Sequence, residues 1–143
     1  MNKLPDNIYD EVDRLSECGN QLLETQSDWR GAIAVWNAAL RLLPEPATQW
    51  EAALWLYASI GDAYRQGGEL EHAKDMLLSA LNCPDGHVNA FALLRLGQTL
   101  VDLGETERGA EHLLRAYMLE GHEIFEEDGE AYLKQLRDSK LIT

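Results

Sequence analysis

Basic residues are scarce in this chain. Lys and Arg number 12 against 25 Asp and Glu, which leaves a net charge of −13. That shortage opposes binding to phosphate backbones and to anionic lipid, because both need cations to neutralise them. Nucleic acid and membrane are therefore excluded as expected partners. The surplus of carboxylates favours a basic protein partner through steering and complementarity, and it also serves plain solubility.

Cysteine is almost missing too. Cys18 and Cys83 are isolated and lack metal-ligand spacing. Cys18 falls on the buried face of its helix and Cys83 at a helix end, so both read as reduced thiols of a cytoplasmic protein. Long apolar runs are absent: the longest, residues 52–58, is far too short for a bilayer. The first six residues hold no apolar core that could serve as a secretory signal. Alternating apolar and polar stretches, the mark of strands, do not occur, and neither do low-complexity linkers.

Catalytic patterns are equally thin. Glu71-His72, Glu111-His112 and His122-Glu123 join an acid to an imidazole, but adjacent helix residues point apart. Cys83 and His87 could give two zinc ligands, yet no second pair lies nearby. No phosphate-binding glycine loop and no nucleophile motif occurs. The expectation is a protein that is not an enzyme and has no metal and no cofactor.

What the chain does have is helical periodicity. Ile8, Val12, Leu15, Gly19 and Leu22 recur at steps of four and three, predicting an amphipathic helix over residues 7–24. Ser27 is the expected cap of the next helix, which stops at Pro44-Glu45-Pro46. Further helices are predicted over 48–66, 69–82, 87–103, 105–120 and about 129–138. Gly67-Gly68 and Gly104 end two of them.

One pattern recurs three times: Ala32-x3-Trp36-x2-Ala39, Ala73-x3-Leu77-x2-Ala80 and Gly109-x3-Leu113-x2-Ala116. It sets small, large and small residues on one helix face. The last two copies follow Tyr57-x2-Ile60-Gly61-x2-Tyr64 and Leu93-x2-Leu96-Gly97-x2-Leu100. Gly61 to Gly97, Tyr64 to Leu100, Gly68 to Gly104 and Ala80 to Ala116 are all 36 residues apart. A fixed offset of this size marks a solenoid of helical pairs. Gly61 should face Ala73, and Gly97 should face Gly109, where two backbones approach closely. Tyr64, Leu77 and their equivalents should fill the space between hairpins.

These residues resemble the tetratricopeptide repeat, with its W-x2-L-G-x2-Y, A-x3-F, A and P positions. The middle repeat matches best. The third replaces the aromatic with Leu93, Tyr with Leu100 and Ala with Gly109. The first matches only in its second helix, and its turn is one residue longer. The resemblance covers residues 8–121 and implies a single all-α domain, 1–143. Repeats would lie at about 8–44, 48–84 and 87–121, in a right-handed superhelix closed by a capping helix at about 129–138.

The family usually binds protein on the concave face made by the first helix of each pair. Carried over by register, that face takes Asp13, Ser16 and Asn20, then Trp55, Ala58, Asp62 and Arg65, then Phe91, Leu94, Gln98 and Asp102. Two exposed aromatics among carboxylates suit a protein-binding hot spot; Trp55 and Phe91 packing between repeats is the alternative. The cationic clamp by which some members hold acidic chaperone tails is not matched: those places hold Ala58, Asp62, Leu94 and Gln98.

A second acidic feature spans residues 120–130, with six carboxylates in eleven residues and no Lys or Arg among them. Glu123, Glu126, Glu127 and Asp128 read either as a solvated face or as a docking patch for basic side chains. This tail resembles the ends of small bacterial tetratricopeptide proteins that act as immunity partners of polymorphic toxins. The resulting expectation is a non-catalytic module that sequesters one basic protein partner, as monomer or weak homodimer. The alternatives are an acidic chaperone of a secreted protein and a scaffold that self-associates through Trp29, Trp36 or Trp50.

Overall fold

The computed structural model describes residues 3–126 and 129–142. Seven α-helices occur among them and no strand: α1 (Asp6–Gln26), α2 (Trp29–Leu42), α3 (Glu51–Gln66), α4 (Leu70–Leu81), α5 (Ala90–Asp102), α6 (Thr106–Glu120) and α7 (Glu130–Asp138). Short 3-10 turns precede α3 and α5 at Ala47–Gln49 and Gly86–Val88, and another, Gly121–Phe125, leads toward α7. The chain is all-α among the described residues.

The helices form three hairpins. α1 lies on α2, α3 on α4 and α5 on α6, while α2 meets α3 and α4 meets α5. Each hairpin turns through a left-handed residue: Ser27 at φ 51°, Gly68 at φ 80° and Gly104 at φ 90°. The turn is closed in the second hairpin by the Glu69 N–H donating to Tyr64 O, and in the third by the Glu105 N–H donating to Leu100 O. Both bonds reach back five residues, satisfying a carbonyl that the helix end would otherwise orphan. In the first hairpin the Asp28 N–H reaches Leu22 O, six residues back. The turn expected to be longer is not: residues 27–28 alone separate α1 from α2, against 67–69 and 103–105 in the other hairpins, so the extra residue of the first repeat lies within its helices.

Ser27 is not the cap of α2, as its residue type suggested. It ends α1, and Asp28 caps α2 instead, its carboxylate accepting the Gly31 N–H at 2.9 Å. Asn89 caps α5 in the same way through the Ala92 N–H at 2.9 Å. Either side chain satisfies one of the free donors at a helix start.

One glycine socket repeats through the hairpins. A Cβ on Gly61 would meet Leu77 Cγ at 2.6 Å and Ala73 O at 3.3 Å; on Gly97 it would meet Leu113 Cγ at 2.7 Å and Gly109 O at 3.0 Å. Gly19 leaves the same space for the Trp36 indole, whose N–H donates to Ser16 O at 3.1 Å. Each first helix thus offers a bare patch that receives the large residue of the second, and the close approach excludes a larger residue there.

The core runs the length of the array. Val12, Trp36, Leu54 and Ile60 belong to one buried cluster spanning the first two hairpins. Leu77, Leu96 and Leu100 join the second hairpin to the third. Leu93, Leu94 and Leu113 share a third cluster with Phe125, Leu133 and Leu136. The segment after α6 therefore folds back on the last hairpin and covers its apolar surface. Gly121, at φ 74°, lets the chain make that reversal.

Candidate functional site

α3 and α5 carry most of the positions that the repeat register assigned to binding, and they face one another across two ion pairs. Arg95 Nε lies 2.8 Å from Asp62 Oδ1, and Arg65 Nη1 lies 2.6 Å from Asp102 Oδ2. Arg95 also donates to Gln98 Oε1 at 2.9 Å. The middle of the expected lining is therefore closed from within. Ala58, Leu94 and Gln98 are buried, so they are not contact residues as expected. Asp62 and Arg65 hold α3 to α5.

Tyr132 of α7 completes this closure. Its hydroxyl donates to Asp102 and accepts from Arg65 Nη2 at 2.9 Å. Burial works against the Arg65 charge, yet the hydrogen bonds it donates to Asp102 and Tyr132 outweigh it and raise the guanidinium above its ordinary pKa. Burial first, then the Asp102 hydrogen bond, also raises the Tyr132 phenol. Both shifts favour the protonated forms of Arg65 and Tyr132, which suits a structural clasp and not acid–base work.

The open part of the face lies at the start of α3 and α5. Trp55 is 54% exposed and Val88 is 49% exposed. They line one depression of about 510 Å³ with Phe91, Ile124, Glu120 and Glu123. Three expected site residues, Trp55, Phe91 and Glu123, thus come together. Groove aromatics and acidic tail were read in the sequence as separate candidate surfaces; the fold-back of Gly121–Phe125 merges them. That turn is held by the fully buried Phe125, whose ring lies 6.4 Å from that of Tyr117.

The two aromatics are not equivalent, contrary to the expectation of an exposed pair. Phe91 is half-buried against the first core cluster, and the Arg95 guanidinium lies 5.3 Å from its ring centre. Of these two, Trp55 presents the exposed ring, and its indole N–H donates to no protein group among the described residues. Glu120 and Glu123 likewise form no ion pair among the described residues.

Other expected positions lie apart from this depression. Asp13 lines an open acidic surface on α1 with Asp10, Arg14, Glu17 and Cys18, and Asn20 is exposed on the same helix. Cys18 is half-buried there, not fully buried as its register suggested. Glu126 is exposed; Glu127 and Asp128 lie outside the described residues. Trp36 is 2% exposed and cannot mediate self-association. Trp50 is half-buried and donates its indole N–H to Pro44 O at 2.7 Å, while Trp29 packs beside Gly67.

Sequence reasoning missed Val88, Ile124 and Tyr132. Val88 and Ile124 lie in turns, where no helical period marks a face. Tyr132 was placed on the capping helix, but its contact with residues on α3 and α5 has no local signal. No three of His, Cys, Asp and Glu converge on a possible metal position among the described residues. No described helix is long and apolar enough to cross a membrane. Fold and site together define an all-helical hairpin protein with a composite aromatic and acidic surface depression. No model of a known protein family and no curated protein matches the chain.

Proposed function

We propose that this chain is a tetratricopeptide-like array that binds one basic protein partner stoichiometrically, without turnover. The observation that carries this reading is the depression in which the exposed Trp55 is joined by Glu120 and Glu123, neither of which forms an ion pair among the described residues. Such an aromatic would serve as an anchor, since truncating a buried Trp at an interface commonly removes 2 kcal/mol or more, roughly. The carboxylates around it would steer a basic surface into contact and reject an acidic one.

The sharpest form of the proposal is sequestration: the chain covers the substrate-binding surface of a basic partner, as an immunity protein covers its toxin. Occlusion needs no chemistry from this chain, which fits the absorption of Arg65, Asp102 and Tyr132 into a structural clasp. The chain would act as a monomer or weak dimer in the cytoplasm.

Affinity purification from the native cell, followed by mass spectrometry, tests the proposal when run beside the Trp55→Ala variant. The expected result is one predominant basic protein retained by the wild type and lost from the variant. If both variants retain the same proteins, the depression is not the binding surface. Co-expression of the retained protein, with growth as readout, then separates a toxin antidote from a chaperone.

A further inference from the structure

The depression has a chemistry more specific than general attraction to positive charge. It offers the exposed Trp55 indole, two carboxylates that form no ion pair among the described residues, Glu120 and Glu123, and the apolar side chains of Val88 and Ile124. We infer that it is a receptor for a single arginine side chain of the partner, flanked by an apolar residue. This inference rests on the protein-binding reading above and names what that site would recognise.

A guanidinium is planar, so it stacks on an aromatic face, and its forked donors reach two carboxylates at once. An ammonium is compact and more strongly hydrated, and it gains less from a flat ring. The protein already shows this preference internally. Arg95 lies over Phe91 with its guanidinium 5.3 Å from the ring centre while pairing with Asp62 at 2.8 Å. Trp55, Glu120 and Glu123 offer the same types of partner on the open side, with no cation paired to them among the described residues. Trp is the strongest of the aromatic rings for such contacts. Val88 and Ile124 then cover the neighbouring apolar residue, and the arginine stem lies along Trp55. With a net charge of −13, a second copy of this chain is a poor occupant.

The test is nuclear magnetic resonance titration with three blocked peptides: acetyl-Leu-Arg-Leu-amide and its lysine and citrulline counterparts. Citrulline keeps the shape of arginine without its charge. The Trp55 indole N–H signal, assigned with Trp55→Phe, and the Val88 and Ile124 methyl signals are the readouts. The expected result is a saturable shift with the arginine peptide, weaker binding of the lysine peptide and no saturation with citrulline. The double variant Glu120→Gln/Glu123→Gln, conservative and on the surface, should bind the arginine peptide roughly tenfold more weakly or worse.

Equal responses to arginine and citrulline would overturn the inference, as would binding that ignores the double variant or leaves the Trp55 signal unmoved. Trp55 signals that change with protein concentration alone, with a matching rise in sedimentation mass, would assign the depression to a second copy instead. The two readings fail separately. Trp55-dependent capture of a protein without arginine binding leaves the module and removes the arginine receptor. Arginine binding with capture unchanged by Trp55→Ala removes the protein-docking role.

Discussion

Gly97 shows how far one residue controls this fold. The third hairpin brings Gly97 and Gly109 into contact, so a Cβ at 97 would lie 3.0 Å from a backbone oxygen and 2.7 Å from Leu113. Gly97→Ala should therefore lower unfolding stability by about 1–3 kcal/mol, despite the better helix propensity of alanine. Chemical denaturation of the variant checks this; an unchanged or higher midpoint would show that the helices separate at little cost. Cys83 makes a second residue-scale prediction. Burial pushes its thiol up from 9.0 to about 11. The folded chain thus keeps a proton that the unfolded chain loses, so this contribution to stability falls as pH rises between those values. A thiol reagent at pH 8 should label Cys18 in the native protein and Cys83 only after unfolding, and Cys83→Ala should flatten the stability profile above pH 9. Equal labelling of both native thiols would contradict the burial.

At the scale of elements, α7 is too short to be stable alone: an isolated helix under about twelve residues is marginal in water. Leu133, Leu136 and the Tyr132 clasp hold it to the array. Tyr132→Phe should cost about 1 kcal/mol, because Asp102 keeps its pair with Arg65 while two hydroxyl bonds are lost. Hydrogen exchange of the α7 amides should quicken in this variant while α2 and α3 stay protected. Exchange unchanged in α7 would mean that the apolar contacts alone seat it. The hairpins themselves were legible in the sequence because the small–large–small spacing states which face is buried and where backbones approach. Gly61 meets Ala73 as expected, whereas Leu77, expected between hairpins, also packs directly on Gly61 within its own hairpin. The boundary between α1 and α2 was misread at Ser27 because Ser and Asp are both good caps, and only the hydrogen bond to Gly31 distinguishes them.

On the scale of the whole molecule, the legible part is the array and the hidden part is its ending. The register of the resembled repeat family put Trp55, Asp62, Arg65, Phe91 and Asp102 on one expected face of the first helices, and the structure brings α3 and α5 together. It could not say that Asp62 and Arg65 would be paired across the face, because ion pairing depends on side-chain reach and not on register. Nor could it show that Phe125 would draw Glu123 and Ile124 to Trp55, since a single buried ring in a turn has no repeat to mark it. A site made by three separate segments is legible only after the chain has folded. On the proposed function its consequence would be a division of labour within one surface, with the carboxylates acting at long range and the indole at contact. Affinity should accordingly weaken with added salt through a slower association, leaving dissociation nearly constant.

The kinetics of partner binding therefore test the central claim most directly. The partner retained in affinity purification is immobilised, and wild type, Trp55→Ala and Glu120→Lys/Glu123→Lys are passed over it at several salt concentrations. The account predicts that Trp55→Ala speeds dissociation and loses at least about 2 kcal/mol of binding free energy, roughly thirtyfold in affinity. It predicts that the charge-reversal variant associates more slowly and loses much of the salt dependence. Wild-type kinetics in both variants would contradict it and place the binding surface away from the depression formed by Trp55, Phe91 and Glu123.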